Sequence, residues 1–274
     1  MTMSGVTAIG VARRARAYVR VAGPDAAEYL QRMVSNDVEA LAVGDACPAL
    51  LLTAKARVIA PLLVWRRGDE DFLLLTEPEL GEVVRAHLVR MRLRARCEVE
   101  AEEHSSVVAF GGAAAGDGVP TDEFGEPAVE MLDGELEPTL GDDELELRRI
   151  EAGRPAWGKE IDERILPAEA GLTETHVSFT KGCYPGQEPI ARLHYRGHAN
   201  RSLRVLALDV AELPPYDAEL VYEGRAVGRV TSAVRRPDGA VVGLAYVRTD
   251  VPEDAELTLT GGVARPLHGP PARP

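Results

Sequence analysis

Residues Arg16 to Ala22 alternate between polar and apolar side chains, as a half-buried strand does. Gly23-Pro24-Asp25 then opens a helix whose Ala27, Leu30, Met33 and Val34 share one face, and Asn36-Asp37 closes it. The apolar runs Ala49 to Leu52 and Val58 to Trp65 are separated by a polar turn, and Phe72 to Leu75 follows after Gly68-Asp69-Glu70-Asp71, which predicts a meander. From Glu77 to about Arg94 the apolar positions Leu80, Val83, Val84, Leu88 and Met91 keep helical spacing, and strand alternation resumes at Cys97. The order β-α-β-β-(β)-α-β is that of a ferredoxin-like unit with an added strand.

Beyond it, Val107 to Phe110 is another apolar run, and the Gly/Ala stretch from Gly111 to Gly118 suits a linker rather than a phosphate cradle, since it lacks the lysine and serine of a P-loop. A less regular α/β portion runs through Pro127 to Leu132 and a helix near Asp142 to Gly153. After Leu203 short strands alternate with turn signals at Tyr222-Glu223-Gly224 and Pro237-Asp238-Gly239, as in a small β-barrel. The expected division is an α+β chain with a ferredoxin-like portion at 1–110 and a second α/β portion at 111–200, interwoven with the first. A C-terminal barrel at 201–265 and a Pro-rich disordered tail at 266–274 complete it.

A length of 274 residues at 45% hydrophobic content suffices for substantial cores. No apolar run approaches the ~20 residues of a membrane helix, so a cytoplasmic protein without membrane contact is expected. The net charge of −13 argues against broad nucleic-acid affinity, because phosphate binding draws on a basic surface. That charge is uneven. Asp133 to Glu151 carries eight acidic residues against two arginines, whereas Lys181 to Arg204 carries five cations against Glu188. Cys47, Cys97 and Cys183 are widely spaced without a C-x-x-C, which suggests neither a disulfide framework nor a zinc site.

The segment Phe179-Thr180-Lys181-Gly182-Cys183-Tyr184-Pro185-Gly186-Gln187-Glu188 gathers a thiol, an ammonium, a phenol, an amide and a carboxylate around two glycines and a proline. Such a run predicts a bent loop with projecting side chains. Lysine occurs three times in the chain, and Lys181 is the one inside this motif; lying near Cys183, it would favour the reactive thiolate. The plainer alternative is a cysteine buried as a small hydrophobe.

The motif K-G-C-Y-x-G-Q-E, met at every specified position from Lys181 to Glu188, resembles the signature of the YgfZ family in the glycine-cleavage T-protein superfamily. Tyr29-Leu30-Gln31 with Ser35-Asn36-Asp37-Val38 is similar to the family's "LQ…TNDV", and Leu52 to Val58 to its "LTPKGRV", with Ala56 in place of the usual glycine. Ile150 to Pro155 and Leu166 to Leu172 resemble segments shared with the T-protein itself. The resemblance implies a three-part ring of two interwoven ferredoxin-like portions and a C-terminal barrel around a folate channel. It also implies a monomeric accessory protein for iron–sulfur enzymes or their assembly factors, with tetrahydrofolate or a derivative as cofactor.

On that resemblance, Cys183 and Lys181 are the reactive pair. Tyr184, Gln187, Glu188, Arg192, Asn36 and Asp37, together with Glu151 and Glu169, are assigned to folate. Folate's pterin offers an N–H and an amino group side by side, a donor pair that a carboxylate receives bidentately. Glu151 and Glu169 are therefore candidate pterin partners unless they are solvated surface positions, and Lys181, Arg192 and Arg196 are candidates for the anionic tail. T-proteins carry an essential aspartate after a "GGIID"-like strand entry; the corresponding Val58-Ile59-Ala60-Pro61-Leu62 has no acid, which argues against a classical transferase. A folate-dependent aminomethyltransferase or demethylase, and a thiol scaffold without folate, remain rival readings. One motif thiol falls short of the four ligands a stable cluster takes, so no resident metal is expected; His194 and His198 read as surface residues of a basic strand.

Overall fold

A computed structural model of the chain describes residues 10–111 and 118–267. The ends and most of the Gly/Ala linker therefore lie outside the described residues, as does the expected tail beyond Leu267. Two compact units emerge, Met1–Asp142 with Glu174–Gln187, and Asp143–Thr173 with Glu188–Pro274.

The first unit opens with strands β1 (Gly10–Arg13) and β2 (Ala17–Ala22), then helix α1 (Ala26–Met33) and the meander β3 (Ala46–Leu52), β4 (Val58–Gly68) and β5 (Asp71–Thr76). A 3₁₀ turn at Pro78–Leu80 leads into α2 (Gly81–Met91), followed by β6 (Glu98–Glu102), β7 (Ser106–Phe110), β8 (Val119–Thr121) and β9 (Ala128–Leu132). The five-stranded sheet has the order β3-β4-β5-β2-β6, antiparallel throughout, so the expected ferredoxin-like order with one added edge strand is present. A four-stranded sheet, β1-β7-β9-β8, draws its first strand from the start of the chain.

The continuous apolar run Phe72 to Leu75 is explained by burial on both faces. Leu73 and Leu75 pack with Tyr18 and Leu63 against Val119 and Leu132 of the four-stranded sheet, while the alternate residues face the opposite side, where α1 and α2 lie. Two helical readings shift. The buried stripe of α1 is Ala26, Tyr29, Leu30 and Met33 rather than one through Ala27, and α2 buries Val84 and Leu88 while Val83 and Met91 stay exposed. A helix laid on a sheet needs only a narrow stripe, so Val83, Val89 and Met91, three of the five large apolar residues in α2, are surplus to its packing.

The second unit contains most of α3 (Asp142–Glu151), whereas α4 (Thr173–His176) belongs, but for Thr173, to the first. Then come α5 (Gln187–Arg196) and strands β10 (Arg201–Val210), β11 (Glu219–Tyr222), β12 (Arg225–Arg235), β13 (Val241–Arg248), β14 (Leu257–Leu259) and β15 (Gly262–Pro266). These six strands close a barrel in the order β10-β13-β12-β11-β14-β15, with β15 returning to β10. Leu206, Leu208, Leu220, Val230, Val247 and Leu257 fill it. The two-residue turn Glu223-Gly224 has both φ values positive, +50° and +75°, the hairpin geometry that Gly signals in sequence. Ile150 of α3 packs on Val234, Val242 and Leu244. His194 lies on helix α5 instead of a strand, because Gln187 to Arg196 keeps helical bonding once past Pro185-Gly186.

Candidate functional site

The motif loop is anchored before it begins. Ser35, fully buried just after α1, donates from Oγ to His176 O (2.6 Å) and accepts from Leu50 N (2.8 Å), while its carbonyl accepts from Ser178 N (3.0 Å). One small hydroxyl thus ties the segment leading into the loop to the edge strand β3. Beside it, Asn36 Nδ2 donates to Pro48 O (2.7 Å) and Thr175 O (3.2 Å), and its Oδ1 accepts from Asp37 N (2.9 Å). Asp37 accepts from Gln31 Nε2 at 2.9 Å, and Gln31 Oε1 receives Val38 N at 2.8 Å. The Asn36-Asp37 pair is brought to the motif, with its side chains spent on bracing this corner.

Lys181 completes the clamp. Its side chain is buried, and Nζ donates to Gln31 O (2.6 Å), Val34 O (2.7 Å) and Asn36 O (2.8 Å), using all three ammonium protons. These carbonyls belong to the last turn of α1 and the residues after it, where acceptors lack helical partners and the helix dipole favours a cation. Burial pulls this ammonium down to about 8, with Asp37 and Cys47 opposing. The Nζ also lies 5.3 Å from the centre of the Tyr184 ring, whose phenol is pushed up to about 12 by burial. Its charge is therefore directed at backbone instead of being held out to Cys183 or to a folate tail.

At the far end, Gly186 has φ +84°, and a Cβ there would stand 2.7 Å from Thr53 O and 3.1 Å from Ala56 Cα. Between Lys181 and Gly186 the chain bulges outward: Gly182 and Cys183 are exposed while Tyr184 is buried beneath them. The cysteines differ sharply in access. Cys97 is buried; Cys47 is half-buried and its thiol is pushed up to about 12 by burial, against the pull of Lys181; Cys183 faces water.

Gln187 starts α5, its N–H donating to Tyr184 O at 3.3 Å, and Glu188 and Arg192 are exposed on that helix. Within the second unit, Glu169 is largely buried and accepts from Arg201 Nε (3.0 Å) and Nη2 (3.3 Å) and from Leu166 N (3.1 Å). Glu151 accepts from Arg236 Nε at 2.6 Å on one oxygen, leaving Oε2 without a hydrogen bond among the described residues. No group of three or more His, Cys, Asp or Glu suited to a metal occurs among the described residues, and no helix there is long and apolar enough to cross a membrane.

A family model, the GCVT N-terminal domain, matches residues 11–117. A Haemophilus influenzae protein described only as uncharacterized is 25% identical over 88% of this chain and 89% of its own length. Proteins called tRNA-modifying protein YgfZ match as well, 25% identical in Yersinia pestis (88% of this chain, 84% of the relative) and 26% in Edwardsiella ictaluri (87% and 84%). The chain is thus similar to the YgfZ proteins over most of its length, and to the GCVT N-terminal domain over residues 11–117. Among solved structures, the glycine cleavage system aminomethyltransferase T of Bartonella henselae superposes with a TM-score of 0.81 over 96% of this chain and 86% of that one. At 22% identity it establishes the T-protein-like fold.

Two positions of the YgfZ resemblance gain a physical reason. Ala56, standing where the family pattern has glycine, keeps φ +58°, so the left-handed turn persists without the residue that adopts it most readily. Ala60, in the stretch compared above with the T-protein strand entry, is fully buried in β4, and Pro61 beside it is paired with Leu50. Ser35 and Gln31 carry as much of the corner as any residue singled out by chemistry. Both lie in the segment that resembles "LQ…TNDV", and that resemblance, rather than the chemistry of a serine or a glutamine, is the signal the sequence offers for them.

Proposed function

We propose that this chain is a monomeric, cytoplasmic tetrahydrofolate-binding accessory protein that supports assembly or repair of iron–sulfur enzymes, with Cys183 as its working thiol. The observation that carries the reading is the contrast among the cysteines: one sulfur faces water on a loop braced at both ends, and the other two are withdrawn. A single exposed thiol suits transient ligation or redox exchange with a client, whereas permanent cluster binding takes about four ligands.

For folate, the residues present fit in part. Glu151 offers a half-exposed carboxylate with one oxygen uncommitted among the described residues, suited to the pterin donor pair, while Glu169 is mostly satisfied by Arg201 and Leu166. Arg192 is exposed and available to the anionic tail. When bound, a reduced folate supplies one-carbon units carried on its N5 and N10 nitrogens. The relatives' name, tRNA-modifying protein, fits clients that act on tRNA better than a broad RNA grip by a chain of net charge −13. The rival reading as an aminomethyltransferase draws on the T-protein-like fold, yet Ala60 and Pro61 put no acid in β4 to assist the chemistry.

The deciding experiment has two arms. Calorimetric titration with tetrahydrofolate is expected to show binding to the wild type, at least ~tenfold weaker binding to Glu151→Gln and undiminished binding to Cys183→Ala. In cells lacking the native protein, Cys183→Ala is expected to leave iron–sulfur enzyme activity unrestored. Full restoration by that variant sinks the thiol role, absence of folate binding removes the cofactor, and rapid formation of methylenetetrahydrofolate from amine donors moves the chain to the transferases.

A further inference from the structure

Helix α2 and its exit form the most basic stretch of the first unit: five arginines and no acid lie between Val83 and Cys97, in a chain of net charge −13. The same stretch is the most apolar exposed surface of that unit. Val83, Val89 and Met91 are 46%, 42% and 41% exposed, and Leu93 is 87% exposed. Scattered surface apolar residues need no explanation, but Met91 and Leu93 both line one cleft, and apolar side chains exposed together at a cleft mark an interaction site.

Leu93 adds a second, independent observation. It follows the C-cap of α2 with φ +50°, the left-handed position where helices ordinarily place glycine or asparagine. A branched, apolar residue held there has both an unfavourable backbone conformation and an unburied side chain, even though the turn closed by Ala95 N–H on Arg92 O holds it in place. An outlier of this kind motivates a functional reading.

Leu93 stands over a cleft of about 750 Å³ between the C-terminal turns of α1 and α2, floored by Tyr29, Met33 and Met91 and rimmed by Arg32, Arg92 and Arg94, with Asp25 the one acid on its lining. A second hollow of about 520 Å³ continues it past Arg92 and Ala95 toward Gly23. The rim charges are only partly spent. Arg96 pairs with Asp25, Arg32 with Glu28, and Arg92 caps Cys97 O, while Arg94 makes no ion pair among the described residues and Arg90 reaches only His87.

We propose that this cleft is a docking groove for an acidic amphipathic helix of a partner protein, with leucine-like side chains seated on the Met-rich floor and carboxylates on the arginine rim. Charge complementarity selects that occupant: on a strongly acidic protein, an isolated basic face steers an acidic segment to one place. The floor argues for a peptide over nucleic acid. Methionines and a leucine adapt to aliphatic side chains, whereas base recognition calls for exposed aromatic platforms, and Tyr29 is buried with its hydroxyl donated to Leu88 O. The groove shares no residue with the Cys183 loop, so this inference stands apart from the folate and thiol reading.

The test is fluorescence anisotropy of a labelled 16-residue helical peptide, leucines at i, i+4, i+7 and i+11 among glutamates, titrated with the full chain. Binding is expected, weakening at least ~tenfold when the leucines become alanine, when Arg94 becomes glutamate, or when Leu93 becomes glycine. Leu93→Gly is the sharpest variant. It relieves the left-handed strain, so its melting temperature should be equal or higher while its affinity falls, an outcome that a purely structural leucine would not give. Undiminished binding by Leu93→Gly, equal binding of the leucine-free peptide, or no binding at all overturns the proposal. Equal displacement by a 16-nucleotide single strand reassigns the face to nucleic acid, and concentration-dependent self-association abolished by Leu93→Gly reassigns it to a second copy.

Discussion

Gly186 and Ala56 meet backbone to backbone, both with left-handed φ values, +84° and +58°, and an added Cβ on Gly186 would stand 3.1 Å from Ala56 Cα. The contact joins the end of the K-G-C-Y-x-G-Q-E loop to the turn between β3 and β4, regions 130 positions apart in sequence. Neither side can yield through a side-chain rotation, because the opposing atoms are main chain. Gly186→Ala therefore combines an unfavourable φ with a 2.7 Å clash against Thr53 O, and should cost about 1–3 kcal/mol. Urea unfolding measures it. Gly182→Ala is the control, since a Cβ there meets nothing within 4 Å; equal losses at the two positions would contradict a role for this contact.

Lys181 is expected to act as a three-way cap on α1. Replacing it with methionine keeps the stem and leaves the carbonyls of Gln31, Val34 and Asn36 without their donor, at a cost of about 1–3 kcal/mol. Arginine should rescue only part of the loss, because its planar fork fits two parallel acceptors better than three convergent ones. Limited proteolysis gives the local readout: cleavage between Ser178 and Gly186 should accelerate in Lys181→Met before global stability is lost. A variant as resistant as the wild type would show that Ser35, Asn36 and the Gly186 contact hold the loop without the ammonium.

How far these relationships were legible in the sequence depends on the length over which each is written. The β-α-β-β-β-α-β order, the barrel and the bent loop follow from local patterns, because each strand, turn and cap is specified within a few residues. The stripe of α1 was misread by one position, Ala27 for Ala26, since Val34 is apolar yet belongs to a bridge with Leu51 after the helix has ended. Val83 and Met91 read as core on spacing alone, and periodicity does not say how wide a stripe the sheet will cover. The partners were not legible at all. Arg201 and Arg236, which engage Glu169 and Glu151, stand 32 and 85 positions away, and the lone lysine of the motif announced a need for an ammonium without announcing three carbonyls 145 to 150 positions earlier.

His104 is the remaining group whose environment dictates a measurable response. Its Nδ1 lies 2.7 Å from Asp133 Oδ2 and its Nε2 3.0 Å from Glu102 Oε2, with the ring edge-on to Tyr18 at 5.1 Å. Both acceptors are carboxylates, so only the imidazolium, which donates from both nitrogens, satisfies the geometry. Burial opposes the charge, but Asp133 and Glu102 outweigh it and hold the pKa above its usual value, even though Arg67 also engages Glu102 at 2.9 Å. A pKa raised on folding means that protonation stabilises the native state. The contribution is complete below the unfolded value of about 6.5 and is lost as pH rises through the folded one. The stability gap between wild type and His104→Gln, taken from urea midpoints between pH 6 and pH 9, should therefore shrink steadily with rising pH. A gap that stays constant would mean that His104 contributes through its packing on Tyr18 and not through its charge.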